Sequence, residues 1–235
     1  MNFLLLLSTL ISLNAFAWNV SPMSQDIEPG QRTFQIKINN KNGKEPLAVR
    51  LKAMKRDTDE FAKDKLNNTN DLLIFPRQMI VAAGKQVVAR VSVRTPNTGT
   101  QEKPYRLIID QIPVKKTADE RGIKVLTRYL TSIYLIPKAR KVEDFSIRSA
   151  QIKNNNIEII ASNQGNYHKV LLPSSVKVGN QEINQKFAVK NILPGKSIKI
   201  ILPIDSKNFS SGQNLSFDNT CMVCPKGEKY QIKLQ

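Results

Sequence analysis

The sequence predicts an all-β protein made of two β-sandwiches in series. Three observations lead there. Apolar and polar residues alternate over short segments along most of the chain, Asn, Gly, Pro or Ser turns separate those segments, and no stretch carries the periodicity of an amphipathic helix.

The 235-residue chain opens with "MNFLLLLSTLISLNAFA", an apolar run followed by small residues at Ala15 and Ala17. Residues 1–17 therefore read as an export signal with an A-x-A cleavage site. The run is shorter than the roughly 20 residues of a spanning helix, although no Lys or Arg precedes it. Next, "RTFQIKINN" alternates Phe34, Ile36 and Ile38 with polar neighbours, and "KNGKEP" follows as a turn. "LAVRLKAMKR" repeats the alternation. "TDEFAKDKLNN" is expected to form one helical turn at most, with Asp57, Asp59 and Glu60 solvated. "LLIFPRQMIVAAGKQVVARVSVR" supplies a strand, Pro76, a short strand, an Ala-Gly-Lys turn and a strand carrying Val87, Ala89, Val91 and Val93. "YRLIIDQIP" is the next strand.

The segment that ends this half, "IKVLTRYLTSIYLIP" at residues 123–137, is unusually long. A single strand of that length would span about 50 Å. Its second half, Ile133 to Ile136, is apolar on both faces, as expected for a strand buried between layers. Its first half alternates Ile123 and Val125 with Lys124 and follows the charged "VKKTADERG". Two readings stand side by side. The strand either completes the core of its own domain, or it outruns that domain and offers an unpaired edge that an incomplete sheet on another protein can borrow.

After Pro137 the polar, basic "KARKVEDF" marks a boundary, giving domains at 18–138 and 139–235. The second set of strands comprises "SIRSAQIKNN", "NIEIIASNQ", "HKVLLPSSVKVG", "KFAVKNILPG", "KSIKIILPI", "QNLSFD" and "KYQIKLQ".

The charge balance, 36 Lys and Arg against 19 Asp and Glu, gives a formal +17. Such an excess suits nucleic acid, an anionic surface or an acidic protein. Nucleic acid is not expected, because the basic residues are dispersed through strands without a basic helix or an aromatic stacking motif. Catalysis has little to stand on. The one histidine, His168 in "NYHKVLL", opens a strand, and no HExxH, GxSxG or Gly-rich phosphate loop occurs. No enzyme activity, cofactor or metal is expected. Cys221 and Cys224 in "DNTCMVCPKGEKYQIKL" read most simply as a local disulfide pinning a hairpin. Zinc needs about four ligands, and a thioredoxin-like motif needs a helix where Pro225, Gly227 and a strand pattern follow.

These segments, in this order, resemble periplasmic pilus-assembly chaperones of the PapD-like class over nearly the whole chain after residue 17. The resemblance is carried by "VSPMSQDIEPGQRTFQIKINN", "FPRQMIVAAGKQVVARV", "PYRLIIDQIP", "GIKVLTRYLTSIYLIP" and "ASNQGNYHKV", and by Cys221 and Cys224, which fall where many members carry a C-terminal hairpin disulfide. It implies two immunoglobulin-like sandwiches set as an L, with a cleft that grips a pilin subunit lacking its final strand. The chaperone lends residues of its donor strand, here Ile123, Val125, Thr127 and Tyr129, and passes the subunit to an outer-membrane usher without any cofactor. Self-association of the free chain over the same edge belongs with these partner expectations. Two departures are visible. The family's two basic cleft residues fall on Ser24 and Ser132, and its interdomain acid–base positions fall on Gln111 and Ile136. The carboxylate anchor is therefore expected at Arg106 or Arg128, in a divergent branch near the archaic type. The competing expectation is a secreted two-sandwich adhesion or scaffold module that donates no strand.

Overall fold

Two-residue alternation decides which side chains go inside. Phe34, Ile36 and Ile38 are buried, while Gln35 and Lys37 between them are exposed, as a strand with one face on a core requires. The computed structural model describes residues 18–113, 125–183, 188–205, 208–220 and 227–235. Residues 1–17, Ile123, Cys221 and Cys224 lie outside the described residues.

The first half contains β1 (Asn19–Ser21), β2 (Ser24–Ile27), β3 (Thr33–Asn39), β4 (Leu47–Thr58), β5 (Asp64–Asn68), β6 (Leu72–Phe75), β7 (Gln78–Val81), β8 (Gln86–Val93), β9 (Lys103–Ile112) and β10 (Arg128–Leu135). One sheet runs β1-β3-β8-β6; the other runs β2-β10-β9-β4-β5, with β7 also on β4. The two sheets enclose one core that includes Phe34, Ile36, Val49, Val91, Tyr105, Leu107, Ile109 and Ile133.

The second half contains β11 (Phe145–Lys153), β12 (Asn156–Asn163), β13 (Lys169–Leu171), β14 (Pro173–Val178), β15 (Gln181–Glu182), β16 (Lys190–Ile192), β17 (Lys196–Pro203), β18 (Asn214–Asn219) and β19 (Glu228–Lys233). They form sheets β11-β12-β17 and β15-β14-β18-β19 and the pair β13-β16 around a second core that includes Ile157, Ile159, Leu171, Ile200 and Phe217. No α-helix occurs among the described residues.

Three segments depart from the sequence expectation. "TDEFAKDKLNN" is not a helical turn: it is a tight turn followed by β5, which pairs with β4 from Thr58↔Asp64 to Met54↔Asn68. The Asp59 carboxylate closes that turn by accepting from the N–H groups of Phe61 and Lys63 at 2.9 and 2.8 Å, so cross-strand pairing wins over weak local propensity. "HKVLLPSSVKVG" breaks at Leu172 into β13 and β14, which join different sheets. Finally, β10 has eight residues, and residues 125–127 ahead of it are exposed and irregular. The long segment does not form one continuous strand.

Candidate functional site

β10 is satisfied unevenly along its two edges. On one side it pairs with β9 over its full length, from Arg128↔Asp110 to Leu135↔Lys103. On the other side it pairs in parallel with β2 only from Ser132↔Ser24 to Leu135↔Ile27. The preceding chain, β1, has joined the opposite sheet by pairing with β3. Across Arg128–Thr131 the free edge of β10 therefore has no strand partner among the described residues. Apolar side chains crowd this edge without being covered: Val125 is 79% exposed, and Leu126, Leu130 and Met23 are exposed too. Sequence reasoning missed Leu130 because it shares a face with Arg128 and Ser132, opposite the core-facing residues.

Alternation along β10 explains why Ile133 to Ile136 are apolar on both sides. Ile133 and Leu135 enter the first core. Tyr134 and Ile136 face the other way and pack with Leu193 and Tyr167 of the second sandwich. Tyr129 marks the upper limit of the buried part, half-buried against the first core. Its ring meets Trp18 edge to face at 4.5 Å, and its hydroxyl donates to the Trp18 carbonyl at 2.6 Å. Thr127 lies just above, its carbonyl accepting from Gln111 N–H at 3.0 Å.

Ser24, Ser132 and Arg106 form a row across three neighbouring strands, with Ser132 in register with both others. The Arg106 guanidinium donates to Ser132 Oγ, and so places a positive charge beside the two serines. Its Nε donates to Asp64 Oδ2 at 2.6 Å, and Nε of Arg56 donates to Asp64 Oδ1 at 2.7 Å. Arg56, with 2% of its side chain exposed, also donates through Nη1 to Tyr134 Oη and Asn191 Oδ1, both at 3.1 Å. Burial alone would raise the Asp64 pKa, but hydrogen bonds from Arg106 and Arg56 outweigh it and hold the carboxyl below its ordinary range. Two guanidinium groups around one carboxylate leave the cluster with a net charge of +1.

Arg128 is placed differently. It pairs across the ladder with Asp110 and is 63% exposed, about 13 Å along β10 from Ser132 at four residues' rise. Of the two arginines singled out from the sequence, only Arg106 lies in the Ser24–Ser132 row.

The two sandwiches meet through polar contacts as well as the Tyr134 cluster. The β4–β5 turn reaches the second sandwich: Asp57 pairs with Lys196 at 2.8 Å, Lys199 N–H donates to the Glu60 carbonyl, and Ala62 packs against the second core. Of these acidic residues, expected to be solvated, Glu60 keeps its side chain exposed and offers only its main-chain carbonyl to the second sandwich, whereas the half-exposed Asp57 pairs with Lys196. His168 Nδ1 lies 2.9 Å from Oε2 of Glu102, whose side chain is fully buried. Gln111 and Ile136 carry no acid–base pair, but the Arg56–Asp64 ion pair and the hydrogen-bonded Glu102–His168 pair stand at the junction. A hairpin reading of "KRDTDEFAKDK" was the sequence signal available for Asp64, since it sets that residue diagonally across from Arg56.

Two sandwiches in tandem, with an open strand edge beside the Arg56–Asp64–Arg106 cluster, define the class. Residues 25–140, nearly all of the first sandwich, match the family "Pili and flagellar-assembly chaperone, PapD N-terminal domain", and this part of the chain belongs to that family. Three solved structures illustrate the likeness in fold. A chain of the CsuC–CsuE chaperone–tip adhesion subunit pre-assembly complex, from archaic chaperone-usher Csu pili of Acinetobacter baumannii, is 18% identical with a TM-score of 0.65, covering 93% of this chain and 98% of that one. A chain of the Salmonella enterica SafA pilin–SafB chaperone complex is 13% identical with a TM-score of 0.62, covering 93% and 97%. The class 5 fimbriae chaperone CfaA is 18% identical with a TM-score of 0.58, covering 92% and 98%. No curated protein sequence matches the chain.

Proposed function

We propose that the chain is a periplasmic chaperone that holds and folds pilus or fimbrial subunits by donor-strand complementation and delivers them to an outer-membrane usher. One observation carries the mechanism: the half of β10 that lacks a second partner is also where apolar side chains stand uncovered. A subunit sheet missing a strand can pair with that edge through main-chain hydrogen bonds, while alternate side chains fill its groove. Ile123, Val125 and Thr127 are the donated residues, and Tyr129 is shared between the chaperone's own core and the subunit. Arg106 is the anchor for the subunit's C-terminal carboxylate, since guanidinium binds carboxylate through paired, charge-assisted bonds. Arg128 is the weaker candidate, already paired and solvated. Cleavage after residue 17, a domain boundary at 138/139, a Cys221–Cys224 disulfide and placement near the archaic branch belong to the same reading. No cofactor takes part in it.

The test is Ile123→Asp combined with Val125→Asp, co-expressed with a pilin-like subunit that lacks one strand. The fold should be unchanged by circular dichroism and thermal midpoint, and subunit capture should be lost. Undiminished capture overturns strand donation and favours the module that donates nothing.

A further inference from the structure

Arg106 does not stand alone beside Ser132: Asp64 holds it as well. A guanidinium carries five N–H donors in a rigid plane. Asp64 takes one of them, from Nε, and Ser132 takes another, from Nη1. No other acceptor for Arg106 is found among the described residues. Three N–H donors then remain, one on Nη1 and two on Nη2, enough for two charge-assisted bonds to a carboxylate. The other oxygen of Asp64 is held by Arg56. Arg56 is too buried to meet a ligand, and its Nη1 is taken by Tyr134 and by Asn191 of the second sandwich. Asn191 in turn donates to the same Tyr134 hydroxyl at 2.9 Å.

We propose that Asp64 is the positioning residue of the carboxylate anchor, fixing Arg106 beside Ser132, and that Arg56 ties this assembly to the second sandwich through Asn191. The anchor is thus built by both sandwiches, although the residue that binds belongs to the first. An arriving carboxylate completes an alternating row, Arg56, Asp64, Arg106, ligand, and brings the net charge of the row from +1 to zero. This inference rests on Arg106 being the anchor.

The experiment uses a peptide matching the last strand of the subunit that the wild-type chain captures, synthesised as the free acid and as the C-terminal amide, with binding measured by calorimetry. Wild type should prefer the acid by about tenfold or more, as expected for charge-assisted bonds worth at least ~1.4 kcal/mol. Asp64→Asn keeps the shape and removes the charge, and should cut that preference to about threefold or less; Asp64→Glu should restore most of it. Asn191→Ala, which loosens Arg56 directly and through the Tyr134 hydroxyl while leaving the Asp64–Arg106 contact in place, should lower the preference part of the way, and serves alone if Asp64→Asn does not fold. A merely structural role would weaken acid and amide alike. If Arg106→Ala abolishes the preference while Asp64→Asn leaves it unchanged or enlarges it, the anchor stands and the positioning role is overturned. If Arg106→Ala retains the preference, the anchor assignment fails and this proposal with it.

Discussion

The ring of Tyr134 lies flat on the imidazole of His168, with centroids 3.8 Å apart and planes 11° apart. The contact joins the last strand of the first sandwich to the second, and the same imidazole is the side-chain partner of the fully buried Glu102. His168→Ala would remove the stack and leave that carboxylate without its ring partner. A stripped buried polar group costs about 1–3 kcal/mol. Denaturant unfolding should register a loss of that size, and solution scattering should show a wider spread of interdomain angles. His168→Gln, which can still donate to Glu102, should recover part of the stability. Unaltered scattering in His168→Ala would show that the junction is held by its other contacts.

Asp64 fixes the sign of a pH effect. Its folded pKa is depressed by the two arginine hydrogen bonds, whereas an unfolded aspartate titrates near about 3.9. The stabilisation is therefore fully present above the unfolded value and is lost as pH falls through the lower folded value. The stability difference between wild type and Asp64→Asn should stay constant from neutral pH to about pH 5 and shrink as the solution is acidified below about pH 4. Urea titrations across that range check it, and a difference that persists undiminished at the acid end would mean that charge is not what Asp64 contributes.

Much of this architecture was legible because alternation is a local signal. Phe34, Ile36 and Ile38 announce one buried face, and the doubly apolar Ile133–Ile136 announces a strand with a core on one side and another surface on the other. The anchor was only half legible. Arg106 stood out as a cation in an apolar strand, but Arg56 and Asp64 sit in a charged hairpin whose pairing no hydrophobic pattern discloses. Register across β9 and β10 is a non-local fact, which is why Arg128 and Arg106 read as equals in the sequence and separate in the structure, one paired in solvent and the other beside Ser132. The break before Arg128 was invisible as well, since Val125 to Tyr129 keep a strand-like composition.

Burial separates two valines that composition cannot tell apart. Val91 is fully buried in the first core, and Val125 is mostly exposed beside β10. Val91→Ala should cost about 2–3 kcal/mol, the transfer of two methyl groups plus an unfilled cavity. Val125→Ala should stay within about 0.5 kcal/mol of wild type while weakening subunit capture. Chemical denaturation of both variants, alongside capture of the same subunit, checks the pair. A large loss of stability in Val125→Ala would mean that this residue belongs to the chain's own core.

Tyr129 tests where the chain's own core ends and the lent edge begins. Its ring packs edge to face on Trp18, and its hydroxyl donates to the Trp18 carbonyl, so part of its binding capacity is already used at home. Tyr129→Phe keeps the ring and loses the hydroxyl bond, and should cost about 1 kcal/mol. Tyr129→Ala should cost roughly 3 kcal/mol or more, since it also loses the aromatic contact and leaves a void beside Trp18. Trp18 fluorescence reports on both changes directly. If Tyr129→Ala leaves stability untouched but abolishes capture, the lent segment extends down to Tyr129 and the chain's own core ends at Thr131; if it unfolds the first sandwich, the lent segment stops at Thr127.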